Sequence, residues 1–376
     1  MKCLPRSQSS GRGADPDRDL GDARARGVAP SFAERVEFLK RAVAPAAGST
    51  CAEVEETHLS WVVLGAERVL KMKKPGGHPV IDLSSPAVRR RNAHEEVRLN
   101  RRLAPEVYLG VLALEWRRGC LVLVPDDAQA AVGEDAIDWL VHMRRLPAER
   151  MLDALVQRQQ FRPDQVDALV AQLAQFHRTA RRVLLDGGAY VRRILDEQQA
   201  NRRVLEDPRV GLAQAAAASR RFERAVARHS GALERRAQDG RLVEGHGDLR
   251  PEHVCMLTPP VVIDCLEFDA TLRELDPFDE IAFLALEIGL LGATWLADAL
   301  RARYAERASD PAGCGLWPLY TARRALLRAR LVAAHLLDPV VADPASWRAR
   351  AQTYARLADE ATDASMRSFD DVQPAP

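Results

Sequence analysis

Little in this 376-residue chain is extreme, and each thing it lacks closes off a class of function. The formal net charge is only +1, so nothing pulls the whole chain towards nucleic acid or an anionic membrane. Its 54 basic and 53 acidic residues are interspersed, as on an ordinary water-facing surface. Six cysteines, Cys3, Cys51, Cys120, Cys255, Cys265 and Cys314, form no Cys-x-x-Cys pair, which removes the common zinc and disulfide frameworks. Scattered thiols fit a reducing compartment, and a cytoplasmic location is expected. No apolar segment of the secretory kind follows Met1 to Pro5. The longest apolar run, Ile281 to Leu300, contains Glu287, Asp298 and two glycines, and reads as a buried core helix rather than a membrane span. There is no internal repeat and no Gly-x-x-x-x-Gly-Lys phosphate loop. Oligomeric state is not legible.

What is present is a change of texture along the chain. Residues 1–29 are polar, rich in Arg, Asp, Gly and Pro, and read as a disordered tail. Phe32, Val36, Leu39 and Val43 recur at helical spacing, with Ser31 placed to cap them. Thr57 to Leu64 and Arg68 to Met72 read as strands. The second ends in Lys71, Lys73 and Lys74, and Lys71 and Lys73 face one side of it. Ser85-Pro86 opens a helix that stops before Pro105, with Glu95 and Glu96 either side of its inner face. Strands follow at Val107 to Leu114, Cys120 to Val124 and Ile137 to Met143, the last entering Arg144-Arg-Leu-Pro147. From Ala148 the pattern is mostly helical. His177, on an apolar helix face, reads as a satisfied core histidine. Residues 367–376 read as a frayed end.

The informative stretch is Val243 to Asp269. Asp248 lies in a loop beginning at Gly245, and His253 follows five residues later. Val254 to Leu257 and Val261 to Ile263 form a hairpin around Thr258-Pro-Pro260, ending on Asp264. The hairpin brings Asp248, His253 and Asp264 near one another, an arrangement that is costly unless a cation or ligand neutralises it.

The run His246-Gly-Asp248-Leu-Arg-Pro-Glu-His253, with Ile263-Asp-Cys-Leu-Glu-Phe268, resembles the catalytic loop of the aminoglycoside phosphotransferase-like proteins, choline kinases included, and in particular an uncharacterised bacterial branch of them. The likeness extends from about Val36 to about Ala361. It implies an α+β, protein-kinase-like two-lobed fold: residues 30–145 as a small, mostly antiparallel β lobe that binds nucleotide, and residues 146–366 as a larger helical lobe holding the catalytic loop. It implies ATP and Mg2+, with Mn2+ also open, and a small-molecule substrate with a hydroxyl acceptor. It casts Asp248 as the catalytic carboxylate, His253 and Asp264 as metal ligands, and Lys71 aligned by Glu96 as the phosphate grip. Met143 would precede the hinge that meets adenine. His246 and Asp279 would support the loop, Asp279 by bonding its backbone. Spacing alone does not choose Lys71 over Lys73, or Glu96 over Glu95. Two positions depart from the pattern: His253 replaces Asn and Leu266 replaces Gly. No Gly-x-Gly-x-x-Gly precedes the lysine strand. Two other readings stand beside the kinase: a metallohydrolase cluster of His246, Asp248, His253 and Asp264, and a non-catalytic nucleotide-binding module. Neither nucleic acid nor membrane is an expected partner.

Overall fold

The computed structural model describes residues 29–44, 52–78, 81–338 and 340–372. The tail expected at residues 1–29 lies outside them, apart from its last residue. Ser31 caps helix α1 (Phe32–Val43): its hydroxyl accepts from the Glu34 amide, and the Glu34 carboxylate takes the Ser31 amide at 2.7 Å. Strands β1 (Glu53–Glu56), β2 (Ser60–Leu64) and β3 (Arg68–Lys73) follow as a meander. A small hairpin, β4 (Gly77–His78) and β5 (Ile81–Asp82), leads to α2 (Pro86–Asn100), then β6 (Tyr108–Arg117), β7 (Cys120–Asp126) and β8 (Ala136–Arg144). The six longer strands make one antiparallel sheet in the order β1-β2-β3-β8-β6-β7. The sequence pattern misses β1, because three of its four residues are glutamates and all four are exposed.

Alternation along β3 assigns its two faces. Leu70 and Met72 join Leu39 and Val43 in a core under α1. Val69 joins Ala93, Val97, Tyr108 and Val141 in a second core under α2. Lys71 and Lys73 share the α2 side, so both lysines point along the wall that faces the rest of the molecule.

The second lobe is helical: α3 (Leu152–Gln157), α4 (Pro163–Thr179), α5 (Gly187–Leu205), α6 (Ala213–Gln238), α7 (Pro277–Leu290), α8 (Thr294–Ala308), α9 (Pro311–Gly315), α10 (Trp317–Ala334) and α11 (Pro344–Val372). Between α6 and α7 lie four two-residue strands: β9 (Val243–Glu244), β10 (Val254–Cys255), β11 (Val261–Val262) and β12 (Glu274–Leu275). β10 pairs with β11, and β12 with β9. Leu173, Phe222, Ile281, Leu284, Leu326 and Ala355 belong to one continuous core. Each large apolar side chain buried there contributes roughly 1.5–3 kcal/mol. The apolar run 281–300 is two helices and not one, broken where Gly292 takes φ 87°. Helix α11 continues to Val372, past the expected frayed end at 367.

Several contacts join the lobes. Val261 and Ile263 of the hairpin pack on the α2-side core. Just beyond α2, Arg102 donates to the Glu244 and Gly245 carbonyls at 2.7 and 2.8 Å. The turn between β1 and β2 reaches over to α10: the His58 ring lies 5.5 Å from His335, which stacks on Trp347 at 3.9 Å. Among the described residues, no helix is long and apolar enough to cross a membrane.

Candidate functional site

The sheet, α2 and the β10–β11 hairpin converge on one cluster of charges. Lys71 lies 2.8 Å from Glu96 and 2.7 Å from Asp264. Lys73 lies 2.9 Å from the other Glu96 oxygen and also pairs with Glu267. Glu96 is buried and shared by both lysines. Glu95 points away, to Arg98 and Arg273, each at 2.7 Å. Burial works against charge on Lys71, but Asp264 and Glu96 outweigh it and hold its ammonium well above the usual lysine range. Partial burial likewise opposes the charge on Asp264, and the Lys71 ammonium outweighs it, keeping the carboxyl below the ordinary carboxylate range.

Asp264 takes φ 65°, in the left-handed region. For a residue with a Cβ this costs roughly 1–2 kcal/mol. Its amide is met by the Tyr108 hydroxyl at 3.1 Å, and the next amide, of Cys265, donates to Asn100 at 2.9 Å. Residues of the first lobe therefore hold the backbone bend that aims this carboxylate at Lys71. Strained backbone over-determined by its surroundings is typical of functional sites.

Asp248 is partly open to solvent, with Arg250 at 3.0 Å. The His253 ring donates from Nδ1 to the Asp248 carbonyl at 2.8 Å. That bond requires the proton on Nδ1 and leaves the Nε2 lone pair facing Asp264, 3.6 Å away, with Arg250 at 3.3 Å. A backbone carbonyl orienting the far nitrogen is how histidine is prepared as a metal ligand. Two oxygen or nitrogen donors at this separation suit a cation that takes its remaining ligands from phosphate and water. Among the described residues no group of three or more His, Cys, Asp or Glu could hold a metal.

Both nitrogens of His246 are engaged. Nε2–H donates to the Ile263 carbonyl at 2.8 Å, and Nδ1 accepts from the Asp248 amide at 3.3 Å. Burial holds its pKa down to about 4, so the ring is neutral. It braces the loop and cannot join His253 and Asp264 around a metal, which removes the metallohydrolase cluster as the sequence drew it. Gly247 has φ 90°, and a Cβ there would come within 2.9 Å of Leu266. The bulky Leu266, a departure from the kinase pattern, is thus accommodated by the glycine it packs against.

The loop's backbone bonds differ from expectation by one residue. Glu280 accepts the amides of His246 and Gly247 at 2.8 and 2.6 Å. Asp279, expected in that role, instead binds Arg324 at 2.8 and 3.0 Å and Arg323 at 2.7 Å. It reaches the loop only through Arg324, which donates to the Gly247 carbonyl at 3.3 Å. The N-cap of α7 is Asp276. A helix first turn offers successive side chains to different directions, and here the direction of the loop is that of Glu280. Burial opposes the Glu280 charge, but the His177 hydrogen bond at 2.8 Å and the Gly247 amide prevail, drawing its pKa to about 2. His177 is buried and bonded on its other side to Tyr304 at 2.7 Å, a satisfied core histidine.

Met143 stands apart from the charged cluster. It lies in the α2-side core on central strand β8, opposite Val69 and Tyr108. The chain beyond it is tied back by the Arg145 amide to Glu67 at 2.8 Å. Sequence reasoning missed Glu267, Glu280, Tyr108, Asn100 and Arg250. Glu267, Glu280 and Arg250 carried a usable signal, as neighbours of residues already singled out.

Known proteins share the fold. The chain has the fold of a choline/ethanolamine kinase family protein from Mesorhizobium loti, with a TM-score of 0.51 over 86% of this chain and 94% of that one, at 15% identity. Choline kinase from Cryptosporidium parvum superimposes with a TM-score of 0.50 over 90% of this chain and 99% of that one, at 11% identity. In sequence, an uncharacterised protein of Mycobacterium tuberculosis is 33% identical over 289 residues, 74% of this chain and 54% of its own length. One from Mycobacterium bovis matches to the same extent. The chain thus spans about half the length of the curated relatives it matches. No family model matches it.

Proposed function

We propose that this chain, which has the two-lobed kinase-like fold of the choline kinases, is an ATP-dependent phosphotransferase that moves the γ-phosphoryl group to a hydroxyl of a small molecule. One observation carries the reading: Lys71 is gripped at once by Glu96 from the first lobe and Asp264 from the second, at 2.8 and 2.7 Å. An ammonium fixed this way at a cleft is what a polyphosphate needs, and it has no structural partner to serve beyond those carboxylates.

The chemistry asks little covalent work of the protein. Phosphoryl transfer is accelerated mainly by positioning and by charges set in advance. Asp248 accepts the hydrogen bond of the acceptor hydroxyl, orients its oxygen and takes its proton. Lys71 binds phosphate oxygens. His253 and Asp264 would hold the magnesium or manganese ion, which when bound neutralises charge on the phosphates. Buried His246 and Glu280 keep the Asp248 backbone fixed while the side chain stays open. Screening hydroxyl-bearing metabolites for ATP consumption, with Asp248→Asn as control, tests the reading. A folded Asp248→Asn protein that consumes ATP as fast as wild type would sink it.

A further inference from the structure

Behind the catalytic loop, on the other side of Glu280, a cavity of about 430 Å³ opens between α4, α7, α8 and the end of α6. That volume falls in the small-molecule range. Its walls include Ala171, Ala174, Phe278 and Tyr304, and its lining holds five arginines and a single aspartate, Asp310. Arg236 is buried and committed to Asp276, at 2.5 and 3.0 Å, and to Asp310 at 2.6 Å. Arg241, 3.7 Å from the same Asp310, shares a carboxylate already in use. Arg178, Arg182 and Arg307 have no carboxylate within ion-pair distance among the described residues. All four are exposed at the mouth. In a chain whose charges nearly cancel, four guanidiniums left without a carboxylate of their own around one concavity are an unbalanced field. Guanidinium forks match phosphate and carboxylate oxygens, and several together favour the more highly charged ligand.

The floor of the cavity is wired to the loop. Tyr304 bonds His177 at 2.7 Å, His177 bonds Glu280 at 2.8 Å, and Glu280 holds the His246 and Gly247 amides. We propose that this cavity binds a small polyanion carrying two or more phosphate groups, and that its occupation stiffens the His246–Asp248 loop through Tyr304, His177 and Glu280. The binding stands on the arginines alone; only its consequence for turnover rests on the phosphotransferase reading.

Inorganic tripolyphosphate is titrated calorimetrically into the full chain, into Lys71→Met to blank the cleft, and into an Arg178→Gln, Arg241→Gln, Arg307→Gln triple variant. The three arginines are exposed, so the triple variant keeps its melting temperature. Whatever wild type binds in the cleft besides, Lys71→Met should bind tripolyphosphate at the arginine cavity, and the triple variant made in that Lys71→Met background should bind it at least tenfold more weakly, with citrate weaker than tripolyphosphate throughout. Hydrogen exchange at the His246 and Gly247 amides should slow several-fold on binding. Equal binding by the triple variant, or loss of binding in Lys71→Met, overturns the site; the latter places the anion in the cleft and leaves the phosphotransferase reading intact. Citrate equal to tripolyphosphate overturns the phosphate assignment. Binding with unchanged exchange overturns the link to the loop.

Discussion

The two sides of the His246–Asp248 loop carry similar numbers of charges and handle them in opposite ways. Behind the loop, Glu280, Asp279, Asp276 and Arg324 are 0–3% exposed and hydrogen-bonded to named partners. In front, the Asp248 and Asp264 side chains are 27% and 44% exposed, and His253 turns a lone pair into the cleft. A closed network fixes a backbone, because any partner lost from it leaves a buried charge alone. An open one leaves capacity for a ligand. The same residue types close a network on one side and stay open on the other, and exposure separates them.

That contrast can be broken deliberately. The largest effect should come from behind: Glu280→Ala strips two amides and His177 of their acceptor and should cost roughly 3–5 kcal/mol in urea unfolding. A loss below about 1 kcal/mol would show the back network is not what holds the loop. In front, Asp248→Asn should lower turnover about a hundredfold or more while the unfolding midpoint stays put. A shifted midpoint would mean the two sides are not separable.

Acid should loosen the back network. The Glu280 pKa is depressed to about 2, so the folded state favours its charged form. Its stabilisation is fully present above the unfolded value of 4.5 and is lost as pH falls towards 2. Between pH 7 and pH 3 the stability gap between wild type and Glu280→Gln should shrink by about 2 kcal/mol. A gap independent of pH would exclude an ionised Glu280. The smallest and sharpest test sets the two lysines apart. Lys71→Met should weaken ATP about tenfold and spare folding. Lys73→Met should instead lower stability, since Lys73 is 3% exposed and its loss strands Glu267. If the effects come out exchanged, the grip belongs to Lys73.

Local chemistry made much of this legible from the chain. Ser31 announced the start of α1, strand alternation put Lys71 and Lys73 on one face, and the contiguous run from His246 to Asp264 carried the loop and its hairpin. Each of those depends on residues within a few positions of one another, where backbone geometry allows few outcomes. Strand β1 escaped because its glutamates show no apolar period and its pairing with β2 supplies what the pattern lacks.

What the sequence by itself determined was therefore most of the longer elements, the two-lobed order and the run that folds into the His246–Asp264 loop and hairpin. Only the tertiary structure decided which charge meets which. Lys71 and Asp264 are 193 residues apart, and the choices of Glu96 over Glu95 and Glu280 over Asp279 turn on neighbouring side chains about 100° apart around a helix. Spacing places both members of such a pair near the site. The rotation of the packed helix selects one, and that rotation is set by cores drawn from the whole chain. The arginine-lined cavity has the same origin: its residues come from four helices and from the three connecting segments that hold Arg182, Arg241 and Asp310, so no one stretch of sequence supplies them all.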